Sequence, residues 1–247
     1  MCSPREEYTK KLDVVLLIGR PAAGKSETID FLRNLPREER LGEYHIGVME
    51  ELDDFVYVWQ TFENDGIRDR LGIGRRDTDA QLYFLDDRIW DFFIERIDLD
   101  FRKKLARDPG LLSDHTVFME FSRGGERGFE RAFSRLSDDV LARAAILYID
   151  VSFEESVRKN RRRYRPDQAD SILYHSLEDA KMERYYRDND WLQLSRGKDH
   201  GYIQVRSRAV PFAVFHNEPE QTDAPEKLGA ALRDATEVLV RLLEERG

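Results

Sequence analysis

The chain has 247 residues, of which 40% are hydrophobic and 36% are charged, and its net charge is −9. These values suit one soluble α/β domain with a sizeable core and argue against a disordered chain. The acidic balance argues against nucleic acid as the main partner, although a local basic patch could still bind it. No apolar run approaches the ~20 residues of a membrane span, the polar start does not resemble a signal peptide, and the lone cysteine cannot form an internal disulfide. We therefore expect a cytoplasmic protein without a membrane partner.

The first part of the chain predicts a strand, a helix and a second strand. Residues 12–18 form an apolar run that ends at Gly19, which is typical of a strand buried on both faces. A helix is expected over about 24–34. A weaker strand is predicted over 44–49, followed by the acidic cluster of residues 50–54.

Residues 55–108 show a helical, charged and aromatic pattern without a convincing strand. Turn signals at 64–66 and 72–74 interrupt this pattern. A long helix is predicted from about 79 to 106. We interpret the segment as a helical insertion on the substrate side of a single domain that spans the whole chain.

Strands and helices alternate over the rest of the chain. This alternation predicts a parallel sheet with right-handed crossovers and helices on both faces. Ligands of such sheets bind at the carboxyl ends of the strands, where the polar clusters after Ile18, Met49 and Met119 fall. The strands are predicted over 116–119, 144–151 and 209–215, and the helices over 154–163, 177–186 and 225–245.

A phosphate-binding motif follows the first strand. Residues 19–26 read Gly-Arg-Pro-Ala-Ala-Gly-Lys-Ser, the Gly-x-x-x-x-Gly-Lys-Ser pattern, between a predicted strand and a predicted helix. Its glycines allow the backbone to wrap a phosphate, and the helix N-terminus adds positive potential. Lys25 can reach the β- and γ-phosphates, and the Ser26 hydroxyl can bind Mg²⁺. We therefore predict ATP and Mg²⁺ as cofactors. The predicted nucleotide contacts are Gly19, Ala22, Ala23, Gly24, Lys25, Ser26 and Glu27.

With this loop, the chain resembles the P-loop kinase group, which includes nucleoside, nucleotide and small-metabolite kinases. Two other segments carry the resemblance: the strand end 118–123, and the arginine-bearing strand–turn–helix segment 147–163, which looks like the helix that leads into a kinase lid. The lid would occupy about residues 158–190. The resemblance implies a three-layer P-loop NTPase fold with about five parallel strands, and transfer of the ATP γ-phosphoryl group to a hydroxyl or phosphate.

The resemblance also assigns roles at the third strand. Glu120 falls where these kinases place an acidic residue that contacts Mg²⁺ or its waters. The stretch from Glu120 to Arg123 is similar to the Glu-Arg-Ser stretch of deoxynucleoside kinases, but its order differs. Arg123 is accordingly a candidate substrate contact. The alternatives are a solvated strand-end carboxylate and an arginine without a direct substrate contact.

The predicted lid helix carries several arginines, whose planar cations match the charge of a transferring phosphoryl group. Arg158 and Arg162 lie four residues apart and share a helix face. We predict these two as catalytic phosphate contacts, together with Lys25. The alternative is a solvated basic helix that pairs with nearby acidic residues, namely Glu154, Glu155 and Asp167.

A general base is expected after the second strand, where related kinases often keep the carboxylate that takes the acceptor's proton. We predict Asp53 for this role. Asp54, Glu50 and Glu51 compete with it, because the strand could end at any of these positions. An acidic start for the helix that begins at Phe55 is the alternative interpretation of the pair.

The predicted function is that of a Mg-ATP-dependent kinase for a small polar acceptor, with nucleosides or nucleotides as the favoured class. A nucleotide-driven switch or regulatory ATPase is one alternative, although the chain has no Asn-Lys-x-Asp guanine-reading motif. A kinase acting on nucleic-acid ends is another, which the net charge of −9 disfavours. Aromatic and arginine side chains of the insertion could stack a base or clamp a phosphorylated acceptor, or simply form core. These are Trp59, Phe62, Arg68, Arg70, Arg75, Arg76 and Tyr83.

Overall fold

Strand β1 (Val14–Gly19) lies in the middle of the sheet, and all of its residues are buried. The computed structural model describes residues 10–163 and 177–246. In it, Val14, Leu16 and Ile18 belong to one apolar cluster, and Val15 and Leu17 belong to another. Because successive side chains of a strand point to opposite faces, a strand covered on both faces needs a continuous apolar run.

The sheet has six strands in the order β2-β3-β1-β4-β6-β5, and all neighbours are parallel except β5 and β6. The predicted α/β class with about five parallel strands is therefore confirmed. Strand β5 (His200–Val205), at one edge of the sheet, was not predicted. Its buried Ile203 and Val205 alternate with exposed Tyr202 and Gln204, as in a half-solvated edge strand. The remaining strands are β2 (Val48–Asp53), β3 (His115–Phe121), β4 (Ala144–Asp150), β5 (His200–Val205) and β6 (Arg208–His216).

Helices cover both faces of the sheet. Helices α1 (Lys25–Asn34), α2 (Arg37–Tyr44) and α10 (Pro225–Arg246) pack on one face. The opposite face is covered by α4 (Ile89–Arg107), α5 (Gly128–Arg135), α6 (Asp138–Leu141) and α9 (Trp191–Ser195). The others are α3 (Phe55–Arg70), α7 (Phe153–Arg163) and α8 (Asp179–Tyr186), which contribute side chains at the carboxyl ends of the strands. Within the described residues, no helix has the length and apolar content of a membrane span.

The prediction for the second strand was wrong by four residues at each end. The strand is an edge strand, and such strands tolerate charged side chains. Glu50 accepts a 2.7 Å hydrogen bond from Lys104 on α4, and Glu51 pairs with Arg33 on α1. The shift makes Asp53 the last residue of β2.

The predicted turn at 64–66 does not exist, because α3 continues through it. Asp65 instead points its buried carboxylate at the segment that follows the helix. It accepts hydrogen bonds of 2.6–3.0 Å from the backbone N–H groups of Arg76, Asp77 and Thr78 and from the Thr78 hydroxyl. This clamp fixes residues 76–78 within the irregular segment 71–88, and α4 begins ten residues later than the predicted helix.

We predict that Asp65→Ala lowers the free energy of unfolding by about 1–3 kcal/mol, because it leaves buried N–H donors without an acceptor. Hydrogen bonds outweigh the effect of burial and lower the pKa of Asp65. The stability that Asp65 contributes to the folded protein is therefore lost only as the pH falls through that lowered pKa. Urea unfolding at neutral pH measures the loss.

Asp69→Ala, one turn later on the same helix, is the matched control. Asp69 forms a 3.6 Å ion pair with Arg75 and its side chain is 57% exposed, so we expect a change within about 0.5 kcal/mol. Equal losses in the two variants would contradict the clamp.

Candidate active site

The loop after β1 has a backbone that only glycine fits at two positions. Gly24 has φ +116°, and a Cβ there would lie 2.6 Å from the Asn217 side-chain nitrogen. A Cβ on Gly19 would lie 2.6 Å from the carbonyl oxygen of Ile149. Helix α1 begins at Lys25, directly after this loop. Its free N–H groups and dipole therefore favour an anion at the loop.

Two side chains from distant parts of the chain hold the loop. The buried Asn217 Nδ2 donates a 2.7 Å hydrogen bond to the Ala23 carbonyl. Ser156 Oγ on α7 donates a 2.7 Å hydrogen bond to the Pro21 carbonyl. Sequence reasoning missed both residues. Asn217 directly follows β6, so the rule that ligand sites lie after parallel strands could have found it.

Lys25 is buried beside the loop. Its Nζ donates to Ser122 Oγ at 2.8 Å and to the Arg20 carbonyl at 3.1 Å, and it lies 3.9 Å from Glu120 Oε1. Burial lowers the pKa of Lys25, although the Glu120 carboxylate opposes this effect. A further negative group at the loop would favour the charged amine.

Asp53 and Glu120 are register partners on the neighbouring strands β2 and β3. Burial raises the pKa of Asp53 to about 8, and the nearby Glu120 and Asp54 add to the rise. Burial also raises the pKa of Glu120, against the influence of Lys25. Two desolvated carboxylates therefore meet at the end of the sheet, and the charge of Glu120 makes ionisation of Asp53 harder.

These groups line one cavity of about 170 Å³ at the carboxyl ends of β1, β2 and β3. It lies at the point where the strand order reverses, because β2 and β3 lie on one side of β1 and β4 lies on the other. The predicted site residues that line it are Ala22, Lys25, Ser26, Asp53, Glu120 and Arg123.

No protein-family model matches the chain, and no curated protein is significantly similar in sequence. Solved structures match over most of its length. TT1252 from Thermus thermophilus has 18% identity and a TM-score of 0.47 over 94% of this chain and 99% of that one. A sugar kinase from Janibacter sp. HTCC2649 has 12% identity and a TM-score of 0.42 over 93% and 97%. The Pnkp1/Rnl/Hen1 RNA repair complex has 14% identity and a TM-score of 0.38 over 85% and 51%.

Because these TM-scores are below 0.5, the fold is assigned from the molecule itself. The features that decide it are the central position of β1, the loop between β1 and α1, and the acidic residues at the ends of β2 and β3. The chain has a three-layer P-loop NTPase fold.

Two further candidates, Arg123 and Asp54, form an ion pair within this cavity. Arg123 Nη1 lies 2.6 Å from Asp54 Oδ2, and both side chains are buried. The guanidinium also lies over the Trp90 ring, 5.1 Å from its centroid. Burial raises the pKa of Asp54, although Arg123 opposes the shift. Asp53, by contrast, forms no ion pair among the described residues, and its Oδ1 accepts a hydrogen bond from the Phe55 N–H at 2.9 Å.

The two predicted lid arginines lie outside this cavity. Arg158 is 2.7 Å from Glu155, Arg162 is 3.4 Å from Glu220, and both side chains are more than half exposed. Arg163, which was not singled out, lines the cavity and donates a 2.7 Å hydrogen bond to Glu27. Helical phase explains the difference, since Arg163 faces α1. The remaining acidic candidate of the lid, Asp167, lies outside the described residues.

The donors around the cavity suit Mg²⁺ in the presence of a nucleotide. Ser26 is exposed at the start of α1, and Glu120 and Asp53 are desolvated carboxylates that a cation would stabilise. Within residues 10–163 and 177–246, no group of three or more His, Cys, Asp or Glu is arranged to hold a metal ion. Mg²⁺ commonly binds through one or two protein oxygens, several waters and substrate phosphates, and the residues present fit that arrangement.

We predict that Asp53→Asn makes the metal-free protein more stable at alkaline pH. A carboxyl with a pKa of about 8 in the folded protein, against an ordinary value of 3.8, keeps a proton that the unfolded chain has lost. Wild-type stability therefore falls as the pH rises through this window. The amide cannot ionise, so the Tm advantage of the variant should grow between about pH 5 and about pH 9. Thermal unfolding with a chelator present measures it.

Asp30→Asn on α1 is the control for the loss of a carboxylate, since its side chain is 67% exposed. Its Tm difference from the wild type should not change with pH in this way. If the Tm difference between Asp53→Asn and the wild type is the same at both pH values, the raised pKa of Asp53 is refuted.

Proposed function

We propose that the chain is a Mg-ATP-dependent phosphotransferase that moves the ATP γ-phosphoryl group to a small polar acceptor, with nucleosides and nucleotides as the leading class. The supporting observation is the convergence of Lys25, Asp53, Glu120 and Arg163 on the cavity beside the phosphate loop. A kinase-type fold and a phosphate-binding helix N-terminus point the same way.

In this proposal the loop amides and Lys25 hold the phosphates. Lys25 Nζ lies against two neutral oxygens, of Ser122 and Arg20, which a phosphate oxygen can replace. Ser26 and Glu120 would hold Mg²⁺, which, when bound, neutralises charge on the phosphate oxygens. Arg163, which reaches the cavity from α7, would add positive charge beside the transferring group.

Asp53 would act on the acceptor. As the acceptor hydroxyl oxygen bonds to the γ-phosphorus and the bond to ADP breaks, the hydroxyl proton passes to the Asp53 carboxylate. A pKa of about 8 puts that carboxylate near the operating pH, where a general base is most effective. Its competitors are engaged elsewhere: Asp54 by Arg123, Glu50 by Lys104 and Glu51 by Arg33.

The proposal is tested by separating nucleotide binding from transfer. Lys25→Ala should lose both, with turnover reduced by about 10²-fold or more, because it removes the cation at the phosphates. Asp53→Asn should keep ATP affinity but slow transfer by about 10²–10⁴-fold. The measurements are ATP affinity by calorimetry and ATP consumption against a panel of nucleosides, nucleotides and sugars.

Lys104→Ala is the matched lysine control, because Lys104 pairs with Glu50 on the face covered by α4. It should change neither quantity. Full turnover in a folded Lys25→Ala variant would refute the phosphotransferase, and full transfer in Asp53→Asn would remove Asp53 as the base.

Neighbouring arginines provide a second test. Arg163→Ala should reduce transfer by about 10-fold or more, because its guanidinium lines the cavity. Arg162→Ala, one residue away and 67% exposed, should reduce it much less. Steady-state rates at saturating ATP measure both effects, and the reverse ranking would return the role to the exposed face of α7.

A further inference from the structure

A second cavity, of about 250 Å³, adjoins the cavity beside the phosphate loop, which we call the phosphate cavity. Apart from the residues that both cavities share, its wall is mostly aromatic or aliphatic, with Trp59, Phe62, Leu82, Phe84 and Tyr185. We call it the aromatic cavity. The residues that line both cavities are Phe55, Val58, Trp90, Leu177 and Tyr186.

The aromatic rings are fixed against one another. Phe62 stacks on Phe84 with 5.3 Å between ring centroids, and Phe84 meets Trp90 edge-on at 5.0 Å. The Phe84 N–H donates a 3.1 Å hydrogen bond to the Tyr185 hydroxyl, which ties the two sides of the wall together. Rings held in this way offer flat faces and edges to a planar guest at little entropic cost.

The charges around the aromatic cavity cancel. Its ionised groups are Glu178 and Lys181, which lie 3.4 Å apart. In the neighbouring cavity beyond Trp90, three arginines pair with carboxylates: Arg131 lies 3.0 Å from Asp91, Arg127 2.7 Å from Glu130 and Arg123 2.6 Å from Asp54. The fourth, the exposed Arg184, lies over the rings of Tyr83 and Tyr185. Among the described residues that line the aromatic cavity, a buried phosphate or carboxylate would find no cation without a carboxylate partner, and burying such a charge is costly.

The size and position of the aromatic cavity fit part of an acceptor. A cavity of roughly 150 Å³ holds benzene, so this one has room for a ring with substituents or for two fused rings. Phe55 forms part of its wall, and the Phe55 N–H hydrogen-bonds to Asp53. A ring bound in the aromatic cavity would therefore lie next to the cavity that the predicted base lines.

We propose that the aromatic cavity binds a planar, uncharged ring of the phosphoryl acceptor. The acceptor class is then an alcohol carried on such a ring, as in nucleosides. It excludes sugars that carry no planar ring, and the paired charges of the described lining residues disfavour acceptors that already carry phosphate. This inference rests on the proposed phosphotransfer and narrows its acceptor.

Binding can be measured without catalysis. Two of the chain's three tryptophans, Trp59 and Trp90, line the aromatic cavity, and the third stacks on Tyr148 elsewhere. Nitrobenzyl alcohol, a neutral aromatic alcohol that quenches tryptophan, should quench saturably. Ribose should not compete with it, thymidine should, and thymidine monophosphate should compete at least about 10-fold less well than thymidine.

A matched pair of substitutions locates the site. Leu82→Phe adds volume inside the aromatic cavity and should weaken nitrobenzyl alcohol binding about 10-fold. Leu85→Phe makes the same change three residues later, at a side chain that is 62% exposed, and should leave binding unchanged. Phe62→Leu should weaken it about 3- to 10-fold by removing one ring of the wall. Circular dichroism confirms that each variant is folded.

The outcomes separate this inference from the phosphotransferase. If ribose or thymidine monophosphate is phosphorylated as well as thymidine, or if Leu82→Phe binds nitrobenzyl alcohol like the wild type, the ring assignment is overturned while phosphotransfer stands. If the aromatic probes bind as expected but no alcohol in the panel is phosphorylated, phosphotransfer fails, and with it the assignment of the bound ring to an acceptor.

Discussion

The pairing of Asp53 with Glu120 is the interaction on which the candidate site depends. Parallel pairing of β2 with β3 places these two half-buried residues side by side, and their partial loss of water raises the pKa of both carboxyls. Lys25 alone offsets only part of this cost, because burial also disfavours its own charge. The cluster of Lys25, Asp53 and Glu120 contributes little to the stability of the fold. A ligand that brings both a phosphate and a cation lowers the free energy of this cluster.

The surrounding structure keeps this charge cluster from relaxing. Asn217, directly after β6, and Ser156 on α7 each donate a hydrogen bond to a loop carbonyl, which stabilises the position of the loop beside Lys25. The ion pair between Arg123 and Asp54 closes the other side of the cavity. Neutral hydrogen bonds and the ion pair between Arg123 and Asp54 therefore hold the site in shape. Arg163 is paired with Glu27, which leaves Lys25, Asp53 and Glu120 for the ligand.

The sequence predicts most of the sheet and the phosphate loop, because both are encoded locally. An apolar run followed by Gly19, Gly24 and Lys25 is a signal that needs no knowledge of distant contacts. The boundaries of β2 and the existence of β5 were missed because both are edge strands, whose charged or alternating side chains hide the pattern. Arg163 was passed over for Arg158 and Arg162 because helical spacing does not say which face meets α1. Asn217 contacts a loop that is remote in sequence, and Asp65 contacts a segment without regular secondary structure. No local sequence pattern predicts either contact.

The Asp65 clamp has a consequence for how specificity can diverge. It attaches the segment that carries Leu82 and Phe84 to α3 through backbone N–H groups, which every residue except proline supplies. Exposed side chains of residues 71–88 can therefore be exchanged while these three backbone bonds remain, whereas Thr78, whose hydroxyl also bonds to Asp65, and the buried Phe84 are held by their own contacts. Because α3 itself starts at Phe55, directly after the strand-end carboxylates, the exchanged wall stays in place relative to them. Substitutions at exposed positions of this segment can therefore change what the chain recognises, while the phosphate loop and the sheet stay as they are.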